Sequence, residues 1–499
     1  MDRRGFLKSV GLGAAALALP GCAGNKALKG SGSEGPNIIL LMADDMGYGD
    51  VGFNGSKIIK TPHLDAMAEK SMRFTRFYAG GPVCSPTRGT CLTGRHYFRY
   101  GIFSASVGYL RAEEITLARI CKARGYTTGH FGKWHLASVS REGPTMPEYK
   151  ENRERKYGPP WERDYDESFT TECNVPTWDP AGNLEDYKWV FRLPFWHNGK
   201  VAEGNLEGAT ARVVMDRAIF FIRKAAEGGE SFFTTIWFHE PHDPVVAGPE
   251  YRAFYKQYSE GEQHYYGCIT AMDEQIGRLR RELRRLGVAD NTMVWFCSDN
   301  GPEGKTGTRK TFRGSTGGLR GRKRSLFNGG VQGPALVEWP GHIEAGSVTD
   351  VACSTLDYFP TIRDVIGYRM PDDRPIDGVS LVPLIGGKMK ERPKGIPLWF
   401  VKPSKGSMHG SPTVALIGNR YKFLTNFSED GAEDMLFDVV ADPAEANNII
   451  SEHRDVAVGM KAELKKWTDS CRASHSGADY PGAFEPVDSF PEMTGTWRS

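Results

Sequence analysis

A handful of short stretches in this chain carry the residue types from which an active site can be built. In Cys84-Ser85-Pro86-Thr87-Arg88-Gly89-Thr90-Cys91-Leu92-Thr93-Gly94-Arg95, Pro86 is tolerated in a first helical turn, and Arg88, Cys91 and Leu92 follow at helical spacing. The spacing predicts a turn running into a short helix with Cys84 at its N-terminus, where free N–H groups and the dipole favour negative charge. A thiol there is acidified, so a thiolate nucleophile is one reading; a buried cysteine before a capped helix is the other. Asp44 and Asp45 are adjacent carboxylates that cannot both stay charged in a cleft without a cation, although a solvated turn has the same composition. Lys133 and His135 project to one side of an extended chain and offer one fixed positive charge and one group titrating near neutrality. His239 and His242 lie in His-Glu-Pro-His-Asp-Pro, and Asp299-Asn300-Gly301 supplies further polar ends. Asp44, Asp45, Asp299 and Asn300 offer only oxygen, which selects a hard cation such as Ca²⁺ or Mg²⁺ over zinc.

These residues need a scaffold that brings them together. Residues 37–43, 231–238 and 293–298 are continuous apolar runs, each ending abruptly in the polar groups just named. Such runs read as strands buried on both faces, the normal state of a parallel sheet, whose C-terminal ends are where ligands bind. A further strand leads to Gly132-Lys133-Trp134-His135-Leu136. Helices are predicted over 61–73, opened by Thr61-Pro62, and over 113–124, 209–226, 262–286 and 354–367. The arginine-rich end of the fourth reads as a solvated face, and His63 in the first as a surface residue. Residues 139–205 show little periodicity and many aromatics (Trp161, Trp178, Trp189, Phe191, Phe195, Trp196, with His197), which either stack on sugar rings or pack the loop down. From about residue 392 the pattern changes to short strands at 398–401, 413–417 and 420–424, with a Gly418-Asn419 hairpin turn, then a helix over 455–470. The expected fold is α/β, a large mostly parallel sheet flanked by helices, with a small C-terminal α+β domain carrying a short antiparallel sheet. Its domains are expected at 37–390, with 139–205 as an insertion carrying specificity, and at 391–499.

The chain has 499 residues, 25% charged and 39% hydrophobic, with a net charge of +2. That balance gives no reason to expect nucleic acid as a partner, and the length leaves room for more than one domain. The nine cysteines show no Cys-x-x-Cys pair, so neither a structural zinc nor a dense disulfide framework is expected, one or two disulfides staying open. Asp2-Arg3-Arg4-Gly5-Phe6-Leu7-Lys8 resembles a twin-arginine export motif, and residues 10–20 form an apolar run too short to span a bilayer. Leu19-Pro20-Gly21-Cys22 resembles a lipobox. Residues 1–22 are thus expected to be an export signal and 23–36 a tether, with Cys22 lipidated or, alternatively, the signal cleaved without lipid. This gives an exported bacterial protein, periplasmic or held at the cell surface.

The motifs resemble those of the type I sulfatases, of the alkaline phosphatase superfamily and similar to arylsulfatases and N-acetylgalactosamine-6-sulfatases: Cys-x-Pro-x-Arg with Leu-Thr-Gly-Arg, Gly-Lys-Trp-His, and Pro-His-x-Pro. Leu319-Arg320-Gly321-Arg322-Lys323 with Asn328-Gly329-Gly330 is similar to the family's Leu-Arg-Gly-x-Lys and Glu-Gly-Gly, with Asn328 in place of the glutamate. Leu436-Phe437-Asp438 and Asp442-Pro443-Ala444-Glu445 resemble its closing motif. The resemblance implies that Cys84 is oxidised by a formylglycine-generating or sulfatase-maturating enzyme to formylglycine. It implies one Ca²⁺ held by Asp44, Asp45, Asp299, Asn300 and the modified Cys84, and sulfate held by Arg88, Lys133 and Lys323. His242 is expected beside the leaving oxygen and His135 as the base that regenerates the aldehyde. Sulfated glycans or small sulfate esters are the expected substrates. Two rivals remain open: phosphonate or phosphate ester hydrolysis on the same site, and a non-catalytic glycan-binding lipoprotein with unmodified Cys84.

Overall fold

The computed structural model describes residues 35–182, 193–304, 314–401, 411–428, 431–482, 484–487 and 490. The export signal, Cys22, most of the tether, Trp189, Phe191 and residues 305–313 of the basic stretch lie outside the described residues.

The described residues form sixteen strands in chain order: β1 Asn37–Ala43, β2 Met72–Phe74, β3 Phe77–Tyr78, β4 Thr127–Lys133, β5 Glu167–Thr171, β6 Trp196–His197, β7 Lys200–Val201, β8 Phe232–Trp237, β9 Thr292–Ser298, β10 Ala335–Glu338, β11 Val348–Thr349, β12 Cys353–Ser354, β13 Ile396–Trp399, β14 Val414–Ile417, β15 Tyr421–Thr425 and β16 Met435–Asp438. Ten of them build one sheet in the order β11-β2-β10-β9-β1-β8-β4-β5-β6-β7. β1 runs parallel between β8 and β9, with Leu40 opposite Thr235 and Trp295, and β4 runs parallel between β8 and β5. All seven residues of β1 are buried, as an apolar run covered on both faces requires. One core forms on each side of the sheet, the even residues of β1 (Ile38, Leu40, Met42) in one and Ile39, Leu41 and Ala43 in the other. The helices Thr210–Gly228 and Glu260–Arg285 cover the second face. The C-terminal segment adds a separate antiparallel sheet, β13-β14-β15-β16, and a helix over Arg454–His475. The α/β class with a large mostly parallel sheet and a small antiparallel C-terminal sheet is the architecture expected.

Several expectations are corrected. The helix predicted over 61–73 ends at Ala68, and Met72–Phe74 is a strand, because Arg73 is claimed by the ladders to β10 and β11. The helix predicted over 113–124 is Leu117–Ala123, started by the Thr116 side chain accepting from the Arg119 N–H. The final helix runs five residues past 470, to His475. Residues 139–205 are not simply an excursion: Glu167–Thr171 is a buried parallel strand of the main sheet. Its aromatics pack the segment down, Phe195 stacking on Phe169 at 4.7 Å and Trp161 meeting Trp196 at 6.4 Å. The arginine-rich helix end is only partly solvated, since Arg280 is buried and forks onto Glu338 with two 2.8 Å bonds. His63 is half-buried over Gly277 rather than free at the surface. Among the described residues every cysteine is an unpaired, buried thiol, and no helix is long and apolar enough to cross a membrane.

Candidate active site

The parallel strands β1, β4, β8 and β9 end on the same side of the sheet, so the residues just beyond them converge. Asp44 and Asp45 follow β1, Lys133 ends β4, His239 and His242 follow β8, and Asp299 and Asn300 follow β9. The helix Cys84–Thr93 is buried along its whole length and brings Cys84 to the strand ends as its first residue. Arg88 lies one turn further on the same face. Asp45 and His135 both adopt left-handed backbone, φ 66° and 54°, a conformation that persists in non-glycine residues where the surroundings hold it, as they do at ligand clamps.

The polar contacts form a closed network. The Cys84 thiol lies 3.5 Å from Asp44 Oδ1. Lys133 Nζ donates to Asp44 Oδ2 at 2.6 Å. Arg88 donates to Asp299 Oδ2 at 2.8 Å and to the Lys133 carbonyl at 3.2 Å, its guanidinium lying over the Trp237 ring. Lys323 Nζ donates to Asp45 at 2.7 Å, and the Asp45 N–H donates to Asp299 Oδ1 at 3.1 Å. His242 Nε2 lies 3.6 Å from Asp45 Oδ2 while its Nδ1 faces the Asp243 carbonyl at 2.7 Å. His135 Nε2 meets Ser106 Oγ at 2.7 Å, and its Nδ1 is buried with no hydrogen-bond partner.

Burial and charge set the protonation states. Burial alone would raise Asp44, but Lys133, His242, Arg88 and Lys323 hold its carboxyl well below the usual carboxylate range. Burial, reinforced by Asp44, pushes Asp299 up to about 7 against the pull of Arg88. Burial lowers His135, with Lys133 and Arg88 adding to it, and lowers His242 against Asp45 and Asp44. Of the two readings of Cys84, the buried thiol is the one found: burial, with Asp299 and Asp44 opposing Lys133 and Lys323, pushes it well above its ordinary value. Loss of hydration at the helix N-terminus outweighs the dipole there.

Side-chain ligand atoms of Asp44, Asp45, Cys84 and His242 all lie within 4.8 Å of one another. The Asn300 amide nitrogen donates to Asp45 Oδ1 and the Gly301 carbonyl, both at 2.8 Å, leaving its carbonyl Oδ1 buried without a donor. A buried amide oxygen with no hydrogen-bond donor, beside two carboxylates, suits a hard cation. Hydrogen bonds and ion pairs link Cys84, Asp44, Asp45, Arg88, Lys133, His242, Asp299, Asn300 and Lys323, whereas the His135 ring bonds only to Ser106 and Cys173 among the described residues. Four neighbours escape sequence reading. Ser106 and Cys173 both touch His135, Thr171 Oγ1 meets His239 Nε2 at 2.8 Å, and Glu303 lies 3.7 Å from Lys323. Of these only Glu303, close behind Asp299-Asn300-Gly301, had a local signal.

Comparison with known proteins gives the same direction. Residues 36–368 match the sulfatase family model, and residues 321–470 match that of the N-sulphoglucosamine sulphohydrolase C-terminal region. Arylsulfatase A of Bos taurus is 34% identical over 426 residues, covering 84% of this chain and 80% of the relative. N-acetylgalactosamine-6-sulfatase of Sus scrofa is 34% identical over 376 residues, 72% and 67% of the two chains. The solved structure of Ps i-CgsB in complex with k-i-k-neocarrahexaose superposes with a TM-score of 0.71 at 25% identity, over 88% of this chain and 93% of that one. Phosphonate monoester hydrolase of Agrobacterium radiobacter, at 19% identity and a TM-score of 0.61 over 87% and 96% of the chains, shares the fold. A family match across the whole main sheet and its converging strand ends makes this chain a member of the sulfatase family, a sulfuric ester hydrolase.

Proposed function

We propose that this protein is an exported enzyme that removes sulfate from a sulfated carbohydrate, using a formylglycine made from Cys84 and one Ca²⁺. The observation that carries the reading is the convergence of Arg88, Lys133 and Lys323 on the carboxylates around a buried Cys84 at 1% exposure. Asp44, Asp45, Asp299 and Asn300 are the residues that would hold the cation, which supplies charge neutralisation and polarises an oxygen next to it. Formylglycine would supply, as its hydrate, a hydroxyl nucleophile where the thiol itself is held protonated by burial.

The remaining steps belong to the chain's own side chains. Arg88, Lys133 and Lys323 grip the sulfate oxygens and stabilise charge that grows on them in the transition state. His242 as the imidazolium, with its Nδ1–H donating to the Asp243 carbonyl and its Nε2 beside Asp45, gives the Nε2 proton to the leaving alcohol oxygen and is left as the neutral imidazole. His135, held through Nε2 by Ser106, presents Nδ1 as the base that returns the site to its starting state. The relatives' own names speak for carbohydrate: N-acetylgalactosamine-6-sulfatase, a sulfatase of a sugar, among those similar in sequence, and a neocarrahexaose in complex with Ps i-CgsB. Conversion of Cys84 would be the work of a formylglycine-generating or sulfatase-maturating enzyme. Residues 1–22 would direct export and Cys22 would carry a lipid that holds the enzyme at the membrane.

Mass spectrometry of the tryptic peptide containing residue 84, from protein made in its native host, tests the modification. The aldehyde lowers the mass by about 18 Da relative to the thiol at this nucleophile position. Sulfate release from sulfated oligosaccharides, lost with a chelator and restored by Ca²⁺, tests the rest. Unmodified cysteine in an active preparation would overturn the formylglycine reading.

A further inference from the structure

From the floor of the site outward runs a line of alternating charges. Asp45 and Lys323, each 3% exposed, pair at 2.7 Å. Lys323 Nζ lies 3.7 Å from Glu303 Oε2, and Glu303 is 25% exposed. Glu303 in turn is forked by Arg324, which is 34% exposed, with Nη1 at 2.5 Å and Nη2 at 3.2 Å. Exposure rises along this line from 3% at Lys323 to 34% at Arg324, which puts Arg324 nearer solvent than the inner cations. Three features make it more than a surface arginine. Its backbone is left-handed, φ 70°, and its N–H is tied to the Pro82 carbonyl at 2.9 Å, two residues before Cys84. Glu303 orients two of its five donors, and the others have no protein acceptor among the described residues. Burial would lower its pKa, and the carboxylates of Glu303 and Asp45 hold it charged. In the proposed mechanism the three inner cations serve one sulfate, and Arg324 is a fourth, nearer solvent, to which that mechanism gives no part.

We propose that Arg324 binds a second anionic group, carboxylate or sulfate, on the same substrate, so that the enzyme prefers dianionic over monoanionic sulfate esters. This rests on the sulfate-ester reading of the site and extends it from one anion to two. A guanidinium with a fixed orientation and free donors matches a carboxylate or sulfate in a two-bond contact. Glu303 serves as a positioning residue, holding the fork and moderating its charge when the outer position is empty of substrate.

The test compares 4-nitrophenyl sulfate with nitrophenyl sulfates bearing either a ring carboxylate or a second sulfate, on the Ca²⁺-loaded, formylglycine-containing parent enzyme and on Arg324→Ala and Arg324→Lys. The parent is expected to favour both dianions. Arg324→Ala should lower kcat/KM for the dianions about ten- to a hundredfold more than for the monoanion, through KM, as loss of a charge-assisted contact predicts. Arg324→Lys should restore more of the second-sulfate substrate than of the planar carboxylate one, separating the two sources of charge. Equal falls on all three substrates would overturn the proposal, since a purely structural arginine does not read the second anion. Calorimetric titration of Cys84→Ala protein with the same compounds decides the matter without turnover: equal affinity for monoanion and dianions overturns it, tighter dianion binding lost in the Arg324→Ala double variant supports it. A parent enzyme that releases no sulfate from any compound would refute the sulfatase mechanism, and the titration would still judge Arg324.

Discussion

Replacing Lys422 with methionine should destabilise the protein far more at pH 8 than at pH 5. Lys422, on β15, points into the junction between the two sheets, and its Nζ lies 2.9 Å from Glu445 Oε1 and 2.9 Å from Asn328 Oδ1, the pair being 0% exposed on both sides. Glu445 Oε2 also accepts from the Asn328 N–H at 2.5 Å. Lys422→Met keeps the length of the side chain and strands a buried carboxylate, a change that costs about 3–5 kcal/mol when both groups were ionised. The carboxyl has an escape, however. Burial already raises Glu445 above its ordinary value even with Lys422 beside it, and burial lowers Lys422, so both groups lean toward their neutral forms. Without the lysine, Glu445 rises further and takes a proton. A folded-state carboxyl pKa above the unfolded value means that the folded state binds more protons in the window between the two. Stability in the variant is therefore retained below the unfolded value and lost as pH rises through the folded one, by about 1.4 kcal/mol per unit across that window. Calorimetric unfolding of parent and variant from pH 5 to pH 8 reads the difference, an expected Tm loss of about 3–6 °C at pH 8 and little at pH 5. The double variant Lys422→Met, Glu445→Gln should recover most of the loss, because no charge is then left buried. A loss that is the same at both pH values, or a double variant as unstable as the two singles added, would refute this reasoning.

The same geometry sets three further outcomes. Arg88→Lys keeps the charge but cannot reach Asp299 and the Lys133 carbonyl together; kcat on an aryl sulfate should fall about 10²–10³-fold with the fold intact by circular dichroism, as for loss of one preorganised donor. Asn300→Leu removes the buried oxygen that has no donor, and calcium titration of the metal-stripped protein should show affinity weakened about tenfold or more. Asp479→Asn, which removes the carboxylate paired to Arg95 at 2.6 Å, leaves Arg95 with Glu114 and the Pro375 carbonyl, at a cost of about 2 kcal/mol in calorimetric unfolding.

The strand ends were legible because fully buried strands must be continuous apolar runs, and β1, β8 and β9 are. Residues immediately after such a run sit at the ligand-binding side of the sheet, so Asp44, His239, His242 and Asp299 declared themselves. Strand β5 was not legible for the opposite reason. Its sequence, Glu-Ser-Phe-Thr-Thr, is polar, and its burial is made tolerable by partners distant in the chain: Ser168 to Asn198 Oδ1, Thr170 to the Gly132 carbonyl, Thr171 to His239. The three-residue strand β2 is too short for any period to register.

The same division runs through the site. Groups that touch sulfate or metal sit in local motifs, since their spacing along one turn or strand end fixes their geometry. Groups that hold them do not: Ser106 reaches His135 across 29 residues and Cys173 across 38, and Glu445 reaches Asn328 across 117. Asn328 illustrates the consequence. The resemblance places a glutamate there, and from sequence alone its replacement puts the support of the neighbouring loop in doubt. In the structure Glu445, in the loop after β16, presents its carboxylate to the Asn328 N–H and to Lys422, and its backbone carbonyl accepts from Arg320 at 3.0 Å at the start of the loop that carries Lys323. Glu445, part of the stretch that resembles the family's closing motif, thus supplies buried acceptors to this loop with asparagine at 328. The small antiparallel sheet is thereby tied to the positioning of Lys323, and disturbing Glu445 or Lys422 should register in the KM for sulfate esters as well as in stability.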